Sequence, residues 1–290
     1  MTTSTDVQTT RVGIVGLGHI GGGVATSLIR SGIVPTAVFD VRPDATRSID
    51  GCPPIAGSAA DVAQQCDLVI LAVVTAEQAA EALFGTNGIA ARQPDGLIVV
   101  LVSTIAVDSL QHLVKRCTEQ GIALLDAAVT GGGRAASNGL IVMVGGPDQT
   151  VKRALPVLEG FARSVVHCGP SGAGMVTKLA RNAITFGQWA VIHEATSMAA
   201  VAGVSPETLL GVLTDGTEDG TDPLNPLRRI VSGKSISAIQ AHAAHQLADK
   251  DLAAAQQLGI TVGLPTPVMD QVRPILPQVF LSELTQPRAD

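Results

Sequence analysis

Two short stretches combine residue types and spacings suited to holding a nucleotide. GIVGLGHIGGG (13–23) sets Gly16, Gly18 and Gly21 in G-x-G-x-x-G spacing. In such a loop the first glycine makes a tight turn and the second lets backbone approach a pyrophosphate. The third lets a helix pack closely on a strand. A pyrophosphate then rests on the helix N-terminus, where free N–H groups and the dipole favour an anion; His19 and Ile20 belong to the same loop. AVFD (37–40) ends in Asp40, nineteen residues past Gly21, where a carboxylate accepts from a ribose 2′-hydroxyl. That carboxylate repels a 2′-phosphate, so NAD is favoured over NADP. Arg42, two residues on, is the group that would instead meet the phosphate. The bland alternatives are a structural Gly-rich turn and, for Asp40, a helix N-cap for the PDATRSI segment.

Two further stretches suit a small anionic substrate. DAAVTGGG (126–133) offers the Thr130 hydroxyl and the backbone N–H groups of Gly131 and Gly132. GAGMVTKLARN (172–182) puts Lys178, one of only five lysines, inside an apolar helical pattern, although lysine is seldom buried. Asn182 follows four residues later, on the same helix face. The bland readings are a flexible turn and a snorkelling surface lysine.

The elements that must position these groups change character along the chain. Strand-like runs occur at 12–16, 37–40, 68–74, 97–102, 123–127, 140–146 and 164–168, with helical patterns such as 24–32 and 108–121 between them. Apolar strands alternating with helices indicate a parallel sheet covered on both faces. After Gly169 strand signals stop. A helix over 174–202 is followed by SPETLLGVLTDG (205–216), with Ser205 as N-cap and Gly216 as stop, then by helical patterns at 225–233, 238–259 and 265–272. The fold expected is α/β: a flexible 1–10, a doubly wound Rossmann-type dinucleotide domain over 11–170, and an all-helical substrate and oligomerisation domain over 171–290.

Composition narrows the partners. A net charge of −6 argues against nucleic acid, which needs a basic patch. The longest apolar runs, such as LVILAVV (68–74), fall well short of the roughly 18 residues a membrane helix needs. The polar start MTTSTDVQTT has no signal-peptide pattern. Cys52, Cys66, Cys117 and Cys168 are widely spaced and read as four reduced thiols in a cytoplasmic protein. His242 and His245 share a helix face, but no third ligand completes a set, so no metal is expected.

Four motifs in order resemble the β-hydroxyacid dehydrogenase family, which includes 3-hydroxyisobutyrate dehydrogenase and tartronate semialdehyde reductase. They are VGLGHIGGGVA (15–25), DAAVTGGGRAASNGLIVMVGG (126–146), GAGMVTKLARN (172–182) and KDLAAA (250–255), and with flanking stretches the likeness covers about residues 11–270. The resemblance implies Lys178 as the catalytic lysine and Asn182 as a substrate-holding asparagine. It implies Thr130, Gly131 and Gly132 as the carboxylate-binding loop, with threonine where the family has serine. On the cofactor side it implies Gly16, Gly18, Gly21 and Asp40 at the dinucleotide, Val73 and Val74 where the family's Leu-Pro lies along it, and Ser103 and Thr104 in the next loop. Lys250 matches a lysine that closes over the nicotinamide side.

This chemistry suits the residue types. As hydride reaches a carbonyl carbon, charge grows on oxygen, and an ammonium within reach can stabilise it and donate a proton. In the oxidation direction a neutral Lys178 would accept the hydroxyl proton, which needs a pKa lowered by partial burial. The reading is an NAD(P)-dependent oxidoreductase acting on a short β-hydroxy acid, assembled as a homodimer or homotetramer. An imine reductase-like enzyme, whose relatives usually replace the lysine, and a silent NAD-binding module are the alternatives. Departures from the family pattern are His19, Ile20 and Gly23 at its Met and Pro positions, Ala128 in place of a proline, and Ala135 and Leu140 in place of Gly and Thr. Pro274 and Pro277 interrupt the last helix.

Overall fold

The computed structural model describes residues 10–92, 95–215 and 237–281. The helical pattern at 225–233, with Arg228 and Arg229, and the stop at Gly216 lie outside the described residues. The chain divides into two compact units after Asn182.

The first unit is built on seven strands: β1 (Val12–Val15), β2 (Ala37–Phe39), β3 (Leu68–Leu71), β4 (Ile98–Leu101), β5 (Ala123–Thr130), β6 (Leu140–Gly145) and β7 (Ala162–Gly169). They stand in the order β2-β1-β3-β4-β5-β6-β7. The first five are mutually parallel, because each is joined to the next by a crossover long enough to return the chain to the same edge. β6 then runs antiparallel to β5 after a short return, and β7 runs parallel to β6.

Five helices cover the sheet: α1 (His19–Arg30), α2 (Ala59–Gln65), α3 (Ala76–Phe84), α4 (Val107–Glu119) and α5 (Asp148–Glu159). Strand residues alternate between two cores. Ile14, Ile70, Val100 and Leu125 face Val24 and Leu28 of α1 and Val157 of α5, while Val69, Leu71, Val99 and Ala128 face α2, α3 and α4. Burying both faces explains why the strands read as unbroken apolar runs. Ser58 caps α2, and Thr75 with Gln78 forms a capping box on α3, each worth about 1 kcal/mol. The fold is thus a doubly wound Rossmann-type sheet. Cys66 and Cys117 lie in the second core, where burial pushes their thiols up to about 11 and about 12.

The helical region follows: α6 (Ala173–Val201), whose first ten residues belong to the first unit, then α7 (Pro206–Asp215), α8 (Ala238–Val262), α9 (Pro267–Val272) and α10 (Leu276–Leu281). The expected N-cap is present, since Ser205 Oγ accepts from the Thr208 N–H at 3.2 Å. Buried Glu194 of α6 accepts the N–H groups of Val268 and Met269 at 2.7 and 2.9 Å, which satisfies the start of α9. The interruption expected at Pro274 and Pro277 takes the form of one 3-10 turn, Arg273–Ile275, between α9 and α10. Among the described residues no helix is long and apolar enough to cross a membrane.

Candidate active site

Parallel pairing sends the segments after β1, β2, β3 and β4 to one edge of the sheet. Gly16–Gly21, Asp40, Val73–Val74 and Ser103–Thr104 therefore gather at the carboxyl ends of strands, where doubly wound sheets bind ligands. β1 and β3 flank the point at which strand order reverses.

The three glycines of the first loop differ in what they avoid. Gly16 has φ +90, and a Cβ there would strike the Ala72 carbonyl. A Cβ on Gly21 would strike the Gly16 carbonyl. Nothing lies within 4 Å of the place a Gly18 Cβ would occupy, so packing within the protein does not require glycine there. Gly18 is also the N-cap of α1, with no side-chain cap and no acidic residue in the first turn. An open approach to uncapped N–H groups fits a pyrophosphate.

Asp40 is well occupied. Its Oδ2 accepts from the Leu17 N–H at 2.7 Å, and its Oδ1 accepts from the Arg42 backbone N–H at 2.9 Å and Nε at 3.0 Å. Arg42 Nη2 also reaches the Leu17 carbonyl at 3.1 Å. Burial alone would raise this carboxyl, but the bonds from Arg42 and the Leu17 amide hold it below its ordinary range. Asp40 caps no helix, since residues 41–51 form turns. Ser103 is buried and ties two loops together: the Val73 N–H donates to its hydroxyl at 3.2 Å, and that hydroxyl donates to the Val73 carbonyl at 2.5 Å. Val74, 80% exposed, and Thr104 face outward at the same edge.

β5 delivers the second loop. Ala128, in place of the family's proline, keeps its N–H, and β5 pairs with β6 through Thr130. Gly131 has φ +86, which favours glycine, and a 3-10 turn over Gly132–Ser137 follows. His19 Nε2 donates to the Gly132 carbonyl at 3.1 Å, joining the first loop to the second. Buried Ser27 of α1 donates to the Ala135 carbonyl at 2.7 Å and accepts from the Asn138 N–H at 3.0 Å. Arg30 donates to the Ala136 carbonyl at 2.9 Å. α1 and the loop after β5 are thus bound to each other.

On α6, Met175, Lys178 and Asn182 form one stripe turned inward, while Val176, Thr177, Leu179 and Arg181 are exposed. Lys178 is 8% exposed, and among the described residues its ammonium has no hydrogen-bond or ion-pair partner. Burial, then the charge of Arg181, lowers its pKa below the usual 10.5. Arg181 donates to Asn182 Oδ1 at 3.2 Å, which leaves the amide NH₂ of Asn182 as its donor to other groups. Lys250 stands on α8 in the second unit, exposed and paired with Asp251 at 3.2 Å. Among the described residues no three His, Cys, Asp or Glu side chains gather as a metal site would need. Arg134 is exposed beside the second loop.

One residue escaped the sequence reading. Asp126 is fully buried on β5, four residues before Thr130, and accepts from the N–H groups of Gly172 and Met175. Its signal was present as an acid inside the apolar run ALLDAAVT.

Residues 11–169 match the NAD binding domain of 6-phosphogluconate dehydrogenase, and residues 172–288 match the NAD-binding domain model of NADP-dependent 3-hydroxyisobutyrate dehydrogenase. L-threonate dehydrogenase of Cupriavidus necator is 36% identical over 206 residues, covering 70% of this chain and 69% of that protein. Human mitochondrial 3-hydroxyisobutyrate dehydrogenase is 31% identical over 261 residues, covering 88% of this chain and 77% of that one. The structure of Mycobacterium tuberculosis 3-hydroxyisobutyrate dehydrogenase superposes with a TM-score of 0.69 at 26% identity, covering 93% of this chain and 94% of that one. These matches, over both parts of the chain and to relatives more than 30% identical, show that the chain belongs to the β-hydroxyacid dehydrogenase family.

Proposed function

We propose that this chain is an NAD-dependent dehydrogenase that interconverts a short β-hydroxy acid and its semialdehyde or ketone, with Lys178 as general acid/base. The observation that carries this reading is the state of Lys178: buried, unpartnered among the described residues, and on one helix face with Asn182. A lysine largely withdrawn from water with no ion pair among the described residues carries a desolvation cost, and a proton-transfer role gives it a reason.

Bound NAD supplies the hydride acceptor. The uncapped first turn of α1 and the open ground before Gly18 hold its pyrophosphate, and Asp40 takes the ribose side. Thr130, with the N–H groups of Gly131 and Gly132, receives the substrate carboxylate. The Asn182 amide donates to the substrate and orients it. The neutral form of Lys178, which the lowered pKa makes easier to reach, accepts the hydroxyl proton as the carbon becomes a carbonyl, and the ammonium returns it in reduction. NAD is preferred to NADP because Asp40 is held ionised at the end of β2.

The helical unit suggests a homo-oligomer. Phe186, Trp189 and Ile192 are each more than half exposed on α6, as are Leu210, Val212 and Leu213 on α7. Apolar exposure on that scale marks an association surface, and a second copy of this chain is its occupant. A monomer by light scattering at micromolar concentration would remove this part of the reading.

Steady-state turnover with NAD and NADP against a panel of short β-hydroxy acids tests the activity. One substrate turned over with NAD, and lost in Lys178→Ala, is the expected result. Cofactor binding without turnover on the whole panel would overturn the dehydrogenase reading in favour of a silent binding module.

A further inference from the structure

The turn that carries Lys178 is fixed at its base by a group outside the chemistry. Asp126 is 0% exposed. Its Oδ1 accepts from the Gly172 N–H at 2.7 Å and its Oδ2 from the Met175 N–H at 2.8 Å. These are N–H groups that a helix cannot satisfy by itself at its start. Glycines make the approach possible on both sides. A Cβ on Gly145 would lie 2.6 Å from Asp126 Oδ1, and one on Gly174 would lie 2.9 Å from Oδ2 and would strike the Met143 carbonyl.

The register shows which strand residues the start of α6 meets. Asp126 pairs with Gly145, and Ala128 pairs with Met143 two residues nearer Thr130. Gly172 and Met175 both bond Asp126, and a Cβ on Gly174 would meet the Asp126 carbonyl as well as the Met143 carbonyl, so the first turn of α6 sits against β5 and β6. Asp126 and Thr130 also project from the same face of that strand, being four residues apart.

We infer that Asp126 is a positioning residue: by clamping the first turn of α6 to β5, it fixes Lys178 in relation to the Thr130–Gly132 loop on the same strand. The inference rests on the proposed role of Lys178. Asp126 itself touches neither substrate nor cofactor in this scheme. Its contribution is to keep the amine and the carboxylate loop in one frame, and an ångström of misplacement can remove about 100-fold in rate.

The test is a cycle of Asp126→Asn and Lys178→Ala in the full chain, with NAD and the best substrate of the panel. Asn keeps the shape but turns a donor toward one of the two N–H groups. Asp126→Asn is expected to lower kcat by about 10- to 100-fold with KM for NAD unchanged. In Lys178→Ala the same change should be nearly silent, including when exogenous methylamine serves as a mobile proton carrier, because a free amine needs no helix to place it. An equal loss in both backgrounds would mean a general structural effect and would overturn the positioning role alone. Full activity in Lys178→Ala would overturn the proton-transfer role and the inference with it. Should Asp126→Asn melt below the assay temperature, Asp126→Glu keeps the carboxyl group and displaces it by one methylene. The same loss confined to the Lys178 background is expected, and its absence overturns the inference.

Discussion

Gly23 and Ala135 occupy complementary space. A Cβ built on Gly23 would lie 2.5 Å from the Ala135 Cβ, 2.9 Å from its carbonyl carbon and 3.0 Å from the Ala136 nitrogen. Both positions depart from the pattern the sequence resembles, and here the Ala135 methyl fills the space a side chain at Gly23 would need. Gly23→Ala would by helix propensity stabilise α1 by about 1 kcal/mol, but overpacking typically costs 1–3 kcal/mol, so the clash wins. A lowered melting temperature is expected. Adding Ala135→Gly should return part of the loss and no more, since the backbone atoms remain close. Thermal melts of both singles and the double measure this coupling.

Gly18 and Gly21 share a motif but answer to different constraints. Gly18→Ala meets no atom within 4 Å, so the chain should fold with an unchanged melting temperature while its affinity for NAD falls. Gly21→Ala strikes the Gly16 carbonyl and should destabilise the first unit whether or not NAD is present. Calorimetry for binding and a melt for stability, run on both variants, separate the two. Equal losses of stability would remove the argument that Gly18 is kept for a ligand.

Lys178 should reveal itself through pH. Oxidation needs the neutral amine, so its rate should rise with pH through a pKa below 10.5. Arg181→Ala removes the second cause of that lowering and should move the limb to higher pH. Lys178→Ala should lose about 10²–10⁴-fold in kcat. Between the lowered folded pKa and the ordinary one the unfolded chain binds more protons, so wild-type stability climbs with pH across that window. Lys178→Met, with no titrating group, should flatten the climb in pH-dependent melts.

Arg42 and Asp40 form one hydrogen-bonded pair, and the proposed preference for NAD rests on it. Arg42→Ala leaves Asp40 its two backbone donors and removes the cation beside it. NAD turnover should persist, and the residual use of NADP should fall. Asp40→Ala should weaken NAD by about 10- to 100-fold, the worth of a hydrogen bond to a charged group, because the Leu17 N–H also loses its partner. The ratio of kcat/KM for the two cofactors measures this.

The architecture was readable because the strands are buried on both faces and so spell themselves as apolar runs; all seven are present. The directions of β6 and β7 were not readable, since periodicity carries no sense of direction and only the short return after Thr130 fixes it. The site was legible where one residue type has one job, as at Gly16 and Gly21. It was not legible where a partner distant in sequence decides. Ser103 matched a cofactor position, yet its hydroxyl is taken by Val73. Asp126 looked like the opening letter of a motif, and its partners lie 46 and 49 residues away.

The thiols of Cys66 and Cys117 turn the first unit into its own gauge. Both are sealed in the core, with pKa values pushed by burial to about 11 and about 12, so a thiol reagent at neutral pH meets them only when the core opens. Their labelling rate counts openings. A ligand held only by the closed form at 100 times its Kd should slow that clock by about 100-fold. Titrating NAD against NADP while the two cysteines are counted by mass would rank the cofactors without any knowledge of the substrate.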